Sequence, residues 1–241
     1  DFGPKYMNSP DTPIFHKKEN LFGQYESRQE IRKNDIVIIC EGSTDVISAH
    51  QHGFKNIVAP LGTGLTKEQL ENISYLTKNI LFFFDSDQAG QEALVRGFKL
   101  ASELKLAPYA TNSSPYKDID ELLQKNPQKM SILIKKKVEA FSFILAQLLQ
   151  NADLNKLEDL NKIRVTIGPL LDSVTDDTTR NHYISKFSKI TKIESDLRKT
   201  EKNSSFTGIV GSEVLLPVKF ENRNLENHYL KLILAKDKIK E

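Results

Sequence analysis

An α/β protein, with a parallel sheet covered by helices on both faces and a helical subdomain behind it, is what this sequence predicts. Three observations carry the prediction. Runs that read as strands alternate with runs that read as helices from about Asn34 onward, the pattern of a parallel sheet. The first strand run, "IVIIC", is continuously apolar and β-branched, as a strand buried on both faces requires. After Asp120 the strand runs stop and the apolar spacing is helical.

Residues 1–24 are rich in proline, glycine and asparagine and read as irregular backbone; "YESRQEIRK" then reads as a short helix. After "IVIIC", the stretch "TDVISAHQHGF" predicts a helix closed by Gly53. "NIVAPLG" is a second strand, and "TKEQLENISYLT" a second helix with Thr66 as its N-cap. "NILFFF" is the third strand, "AGQEALVRGFKLASEL" the third helix and "APYAT" a weaker fourth strand. Three further stretches, "MSILIKKKVEAFSFILAQLLQ", "KLEDLNKIRVTIGPLLDSV" and "TRNHYISKFSKITK", have helical apolar spacing. Residues 204–224 have no period and read as a linker. "LENHYLKLILAKDKIKE" starts another helix.

The chain has 241 residues and a net charge of +2, so any basic surface for nucleic acid must be local. One cysteine, Cys40, excludes a disulfide framework and a zinc site and points to a reducing compartment. No run approaches the roughly 20 apolar residues of a membrane helix, and none reads as a signal peptide. The chain begins without methionine in "DFGPKYMNSP", and so reads as a piece of a longer protein.

Acidic residues cluster where ligands bind in such sheets, beyond the carboxyl ends of the strands. The first strand ends in Glu41 ("CEGSTD"), the third in Asp85 and Asp87 ("DSD"), and the fourth leads into Asp118 and Asp120 ("YKDID"). Asp45 lies one helical turn beyond Glu41. If the first and third strands are neighbours, about 4.8 Å apart, then Glu41, Asp85 and Asp87 converge on one crevice. Carboxylates gathered there raise one another's pKa values. A divalent cation such as Mg²⁺ relieves the repulsion and leaves room for substrate phosphates. The bland alternative is that these acids cap the helices that follow, and Asp87 could do only that. Gly42 permits a tight turn beside a ligand, and Ala89-Gly90 lets a helix begin close to the acids. "LGTGLT" could offer backbone amides to phosphate or be a plain turn.

These motifs, in this order, resemble the Toprim domain shared by bacterial-type primases, topoisomerases of types IA and II, and some nucleases and recombination proteins. "EGSTD" looks like its first motif and "DSDQAG" its second. The leading "PKYMNSPDTPIFHK" is very similar to the segment before Toprim in bacterial replicative DNA primases, and "LFGQYESRQEIRK", "APLGTGLT" and "PYKDID" continue the similarity. The resemblance implies a Toprim-type parallel sheet with helices on both faces, preceded by an irregular segment and followed by an α-helical subdomain. It implies these domains: 1–33, the remnant of a basic N-terminal subdomain of the catalytic core; 34–127, Toprim; 128–203, helical; 204–224, linker; and 225–241, the start of a truncated helicase-binding domain.

The implied function is template-directed synthesis of short RNA primers on single-stranded DNA for replication, by metal-dependent nucleotidyl transfer. Glu41, Asp85 and Asp87 are the implied catalytic residues. Together with Asp45, Asp118 and Asp120 they are also the implied ligands of Mg²⁺ or Mn²⁺. Lys5 and Lys17 match family lysines that face nucleic acid and the incoming nucleotide, and Tyr6 and Asn8 lie in the same signature. Implied partners are the template, ribonucleoside triphosphates, the RNA primer and, through the missing C-terminal domain, the replicative helicase. No membrane is involved, and the location is cytoplasmic, at the replication fork. Zinc belongs only to an N-terminal domain that this chain lacks. Ser43 and Thr44 stand where the family usually has tyrosine and methionine. Two alternatives stay open: a Toprim nuclease, and a non-catalytic protein that binds nucleic acid or helicase. His50 and His52 read as surface or helix-packing residues, "IKKKVE" as the wet side of a helix, Phe82–Phe84 as strand core and Cys40 as a buried small hydrophobe.

Overall fold

The structure, a computed structural model, describes residues 9–62, 64–150 and 152–191. The assignments made for Lys5, Tyr6 and Asn8, for the 204–224 linker and for 225–241 lie outside these residues.

Among the described residues six strands share one sheet: β1 (Leu21–Phe22), β2 (Val37–Ile39), β3 (Ile57–Pro60), β4 (Asn79–Phe84), β5 (Ala107–Asn112) and β6 (Val138–Glu139). Their order is β1-β3-β2-β4-β5-β6. The four central strands are parallel, as expected from the alternation of strands and helices. The edges are not: β1 runs antiparallel to β3, and β6 antiparallel to β5. The first and third strands of the sequence reading, β2 and β4, are direct neighbours, with Ile39 opposite Phe82.

Side chains alternate across this sheet, and both faces are buried. Ile38, Cys40, Leu81 and Phe83 meet Val46 and Ala49 of α2 (Ser43–Gln51), Leu122 of α5 (Ile119–Lys125) and Met130 of α6 (Pro127–Lys135). Phe82 instead lies against α4 (Gln88–Glu103), whose Gly97 permits the contact: a Cβ there would stand 2.9 Å from the Phe82 ring. Behind α4, Phe98 packs on Phe141 of α7 (Ala140–Gln150) and Tyr183 of α9 (Asp177–Thr191), with the last two rings stacked at 4.4 Å. The remaining helix of this group, α8 (Leu157–Ser173), also packs on α4. Phe82, Phe83 and Phe84 are strand core and Cys40 is buried, as read. His50 and His52 serve packing: Nε2 of His50 lies 3.1 Å from the Ile57 carbonyl, and Nδ1 of His52 2.8 Å from that of Ser48.

The structure departs from the sequence pattern in the region after Asp120. Strands do not stop after Asp120, because the stretch read as one helix from Met130 breaks into α6, β6 and α7. Lys135 ends α6, and Lys136 and Lys137 are the break, so the three lysines are not the wet face of a continuous helix. Pairing with β5 takes Val138 and Glu139 out of the helix that their spacing allows. The two helices that precede β2 and β4 form as read. They are α1 (Gln24–Asn34) and α3 (Lys67–Ser74), the latter with Thr66 Oγ1 accepting the Gln69 N–H at 3.2 Å. The fully buried Gln69 side chain then straps the N-terminal segment down. Its Nε2 donates to the Lys17 and Asn20 carbonyls, and its Oε1 accepts the Thr66 N–H.

The edge strand β6 is tied to α9 through Glu139, whose carboxylate takes a bond from Lys186 and one from Ser142 at 3.2 Å, with His182 at 3.7 Å. Burial pushes the Glu139 pKa up, but Lys186, His182 and Ser142 together hold it below its usual value. A depressed carboxylate contributes stability that is present above its unfolded value of about 4.3 and is lost as pH falls through the lower folded one. Glu139→Gln is expected to cost about 1 kcal/mol at pH 7, a modest figure because solvent screens the half-exposed pair. The gap between variant and wild type should close in urea melts as the pH is lowered through that window.

Candidate active site

Beyond the carboxyl ends of β2 and β4 the chain leaves for opposite faces of the sheet, and the crevice between them is the switch point where ligands bind in such folds. Glu41 follows β2 and Asp85 follows β4. The backbone N–H of Asp85 donates to Oε1 of Glu41 at 3.0 Å. Two acids 44 residues apart in sequence are thus brought together by strand pairing. Asp87 follows as the N-cap of α4, its Oδ1 accepting the Gly90 N–H at 2.9 Å. Glu41 and the Asp85 backbone are therefore neighbours in this crevice, and Asp87 has the capping role weighed for it.

Gly90 makes this approach possible. A Cβ at that position would lie 2.2 Å from the Asp85 carbonyl oxygen and 2.8 Å from Oε1 of Glu41. The first of these is backbone and cannot turn aside.

The other three acids form a second group. Asp45, buried at 6% exposure, accepts the Gly42 N–H at 3.3 Å on Oδ2 and the Asp120 N–H at 3.2 Å on Oδ1. It closes the N-terminal turn of α2 and pins α5 to it. Asp118 caps α5 through the Glu121 N–H at 2.8 Å. Asp120 takes a bond from Gln124 of its own helix at 2.9 Å. The two groups are electrostatically joined at Asp85. Burial first, then Glu41, Asp45, Asp118 and Asp87, push its pKa up to about 7. Burial raises Asp45 to about 6, and Asp118 and Asp120 add to the rise against the two N–H bonds that lower it. Glu41 is raised by burial and by Asp87, with the Asp85 N–H and Arg96 opposing.

Among the described residues, no three acidic, histidine or cysteine side chains stand together as a ready-made ion cage. Asp45, Asp87 and Asp118 are turned instead onto backbone N–H groups at helix N-termini, which carry partial positive charge. The donor set still suits a hard divalent cation. It is all oxygen, it holds more negative charge than its neighbours offset, and Ser86 Oγ, between Asp85 and Asp87, is buried without a partner.

Beside Glu41 a cleft of about 180 Å³ opens, with Pro60, Gly64 and Leu65 on one side and Ala89, Ala93 and Arg96 on the other. Glu41 is the acid among its lining residues. Of the expected nucleotide-facing residues, Lys17 is described: its N–H donates to Asp11 at 3.2 Å and its carbonyl is held by Gln69. Sequence reasoning missed two residues of this region. Gln69 was detectable as the fourth residue of a Thr-x-x-Gln capping box. Arg96 was detectable as sharing a helix face with Ala89 and Ala93.

An acidic crevice at the switch point of a mainly parallel α/β sheet defines the class as Toprim-like, and the Toprim-like family model matches residues 38–123. A second model, the DnaB-helicase binding domain of primase, matches residues 141–196. That span begins with α7 and includes α8 and α9, well before residue 225, where the sequence reading started the helicase-binding domain. A DNA primase of Clostridium acetobutylicum is 29% identical over all of this chain and 44% of its own length. The structure of the zinc-binding and RNA polymerase domains of Aquifex aeolicus primase matches with a TM-score of 0.71 and 29% identity, over 82% of this chain and 47% of that one. A DnaG primase catalytic domain bound to single-stranded DNA matches with a TM-score of 0.67 and 25% identity, over 78% and 62%. The chain is thus similar to bacterial DNA primases over most of its length, and it spans less than half the length of the curated relative just described.

Two outcomes test this geometry. Gly90→Ala should destabilise the fold by about 1–3 kcal/mol, as overpacking against fixed backbone does, seen as a lower urea midpoint. Asp85→Asn should stabilise the metal-free protein at pH 8, because it removes a carboxylate that four others repel. Screening keeps the gain to about 1 kcal/mol, or roughly 2–4 °C in Tm, and Mg²⁺ should then raise the Tm of wild type but not of the variant.

Proposed function

We propose that this chain forms the nucleotidyl-transfer centre of a DNA primase, making short RNA primers on single-stranded DNA for replication. The observation that carries the reading is the Asp85 N–H bond to Glu41, which locks the first and second acidic motifs into one crevice. Support comes from the Toprim-like match over 38–123 and from relatives that are DNA primases. These relatives favour primase over the nuclease alternative.

In this reading residues 34–127 are the Toprim domain and Glu41 is the catalytic carboxylate. Its Oε1 is fixed by the Asp85 N–H, and it lines the open cleft. Burial raises its pKa, which makes it a better acceptor for the proton of an attacking 3′-hydroxyl. Asp85 and Asp87 would hold the divalent cation, Mg²⁺ or Mn²⁺, with Asp45, Asp118 and Asp120 supplying the surrounding negative charge. When bound, that cation lowers the pKa of the hydroxyl and neutralises charge on the α-phosphate. Gly90 keeps the start of α4 against the Asp85 backbone, so the two acids of the "DSD" turn stay beside Glu41. Lys17 and Lys5, with Tyr6 and Asn8 of the same signature, would meet template and triphosphate, where lysines bind phosphate as point charges. Pyrophosphate leaves as the primer grows by one ribonucleotide.

Helicase contact is assigned to residues 141–196, on the match with the helicase-binding domain of primase. Among the described residues no helix is long and apolar enough to cross a membrane, and a replication role places the protein in the cytoplasm.

The test is ribonucleotide incorporation on single-stranded DNA. Activity should require Mg²⁺ or Mn²⁺. Glu41→Gln and Asp85→Ala should each reduce it by at least about 100-fold, the scale of lost general-base or metal catalysis. DNA affinity measured by anisotropy should change little. Activity that survives either substitution, or that needs no divalent cation, would overturn the proposal.

A further inference from the structure

Arg96 projects into the same cleft as Glu41 but belongs to none of the acidic motifs. Ala89, Ala93 and Arg96 recur at i, i+4 and i+7 along α4 and line one wall of the cleft. The two alanines leave the space open, and the guanidinium supplies a positive charge beside it. Pro60 and Leu65 on the facing wall offer no charge. The cleft therefore presents a carboxylate and a guanidinium with apolar surface between them.

The present partner of Arg96 is weak. Its Nη1 lies 3.8 Å from Glu92 Oε2, one turn earlier on the same helix, and the two side chains are 59% and 40% exposed. Such an exposed pair contributes little, so the guanidinium can turn to a ligand at small cost.

We propose that Arg96 is a nucleotide-binding residue that holds the phosphate tail of a nucleoside triphosphate in this cleft. The proposal rests on the nucleotidyl-transfer reading and names where its substrate sits. Two properties select the ligand. A planar guanidinium matches two phosphate oxygens at once. A free anion would be repelled by Glu41 and the aspartates beyond it, whereas a triphosphate carrying a divalent cation offers positive charge to the acids and negative charge to Arg96. Size points the same way. At about 180 Å³ the cleft is smaller than the roughly 300–1,000 Å³ of a whole-ligand pocket, so it takes the phosphates and leaves the nucleoside outside.

The experiment is an equilibrium titration of the 241-residue chain with a fluorescent ATP analogue in Mg²⁺, with inorganic triphosphate as competitor. Arg96→Ala should weaken ATP-analogue binding roughly tenfold to a hundredfold, the range for losing a charged hydrogen-bond partner. Arg96→Lys should recover part of the loss. Inorganic triphosphate should displace the analogue from wild type and lose potency against the alanine variant. Single-stranded DNA affinity and the thermal unfolding curve should match wild type. If Arg96→Ala binds the analogue as wild type does, or loses DNA affinity in the same proportion, the inference falls while the nucleotidyl-transfer reading stands. If wild type binds no nucleotide, both fall.

Discussion

The site depends on one pairing, that of β2 with β4. Parallel alignment of Ile39 with Phe82 ends the two strands nearly level, so Glu41 and Asp85 emerge side by side. The chain then turns to α2 on one face and α4 on the other, so no helix closes the gap between them. The Asp85 N–H lies within the opening and finds no further strand to pair with. Glu41 accepts it at 3.0 Å, and this bond converts a gap in the sheet into a fixed orientation for a carboxylate. A shift of one residue in the register would turn alternate side chains to the wrong face. The buried row of Val37, Ile39, Ile80 and Phe82 therefore fixes the geometry of the acids as firmly as the acids' own contacts do.

The acids also show that capping and site chemistry are compatible duties. Asp87 caps α4, Asp118 caps α5 and Asp45 closes the first turn of α2. A helix N-terminus tolerates a carboxylate because its unpaired N–H groups attract negative charge. Three helices that begin around one crevice can therefore hold a concentration of charge that open loops could not. The residual strain is read at Asp85, where burial and four neighbouring carboxylates lift the pKa to about 7.

The parts of this arrangement legible in the sequence are those with a long local signal. The β-branched run at Ile36–Cys40, the Thr66 cap, the closure of α2 at Gly53 and the apolar-to-acidic switch at Phe84–Asp85 each announce themselves within a few residues. Strand order is not local, and the contact between Glu41 and Asp85 could only be conditional until β2 was seen beside β4. The misreadings fell where tertiary pairing overrides spacing. Val138 and Glu139 fit a helical period, yet β5 offers a free edge and Glu139 gains Lys186 and Ser142 by leaving the helix. Two-residue strands such as β1 and β6 are too short to show a period of two. The second role of Asp45 was hidden for the same reason, since its partner Asp120 lies 75 residues away.

Asp45 explains why the three motifs behave as one electrostatic unit rather than three separate turns. Through the Gly42 N–H it braces the backbone immediately after Glu41, and through the Asp120 N–H it fixes the start of α5. Its charge also reaches Asp85. Moving α5 would therefore alter both the brace behind Glu41 and the potential at Asp85. A cation drawn to Asp85 would act in the opposite sense, lowering the repulsion that all three elements share. Any ligand that binds the folded chain in preference to the unfolded one adds its binding free energy to stability. Here that free energy would be released at the point where β2, β4 and α5 meet, so occupancy of the crevice and rigidity of the sheet's carboxyl edge are two readings of a single equilibrium.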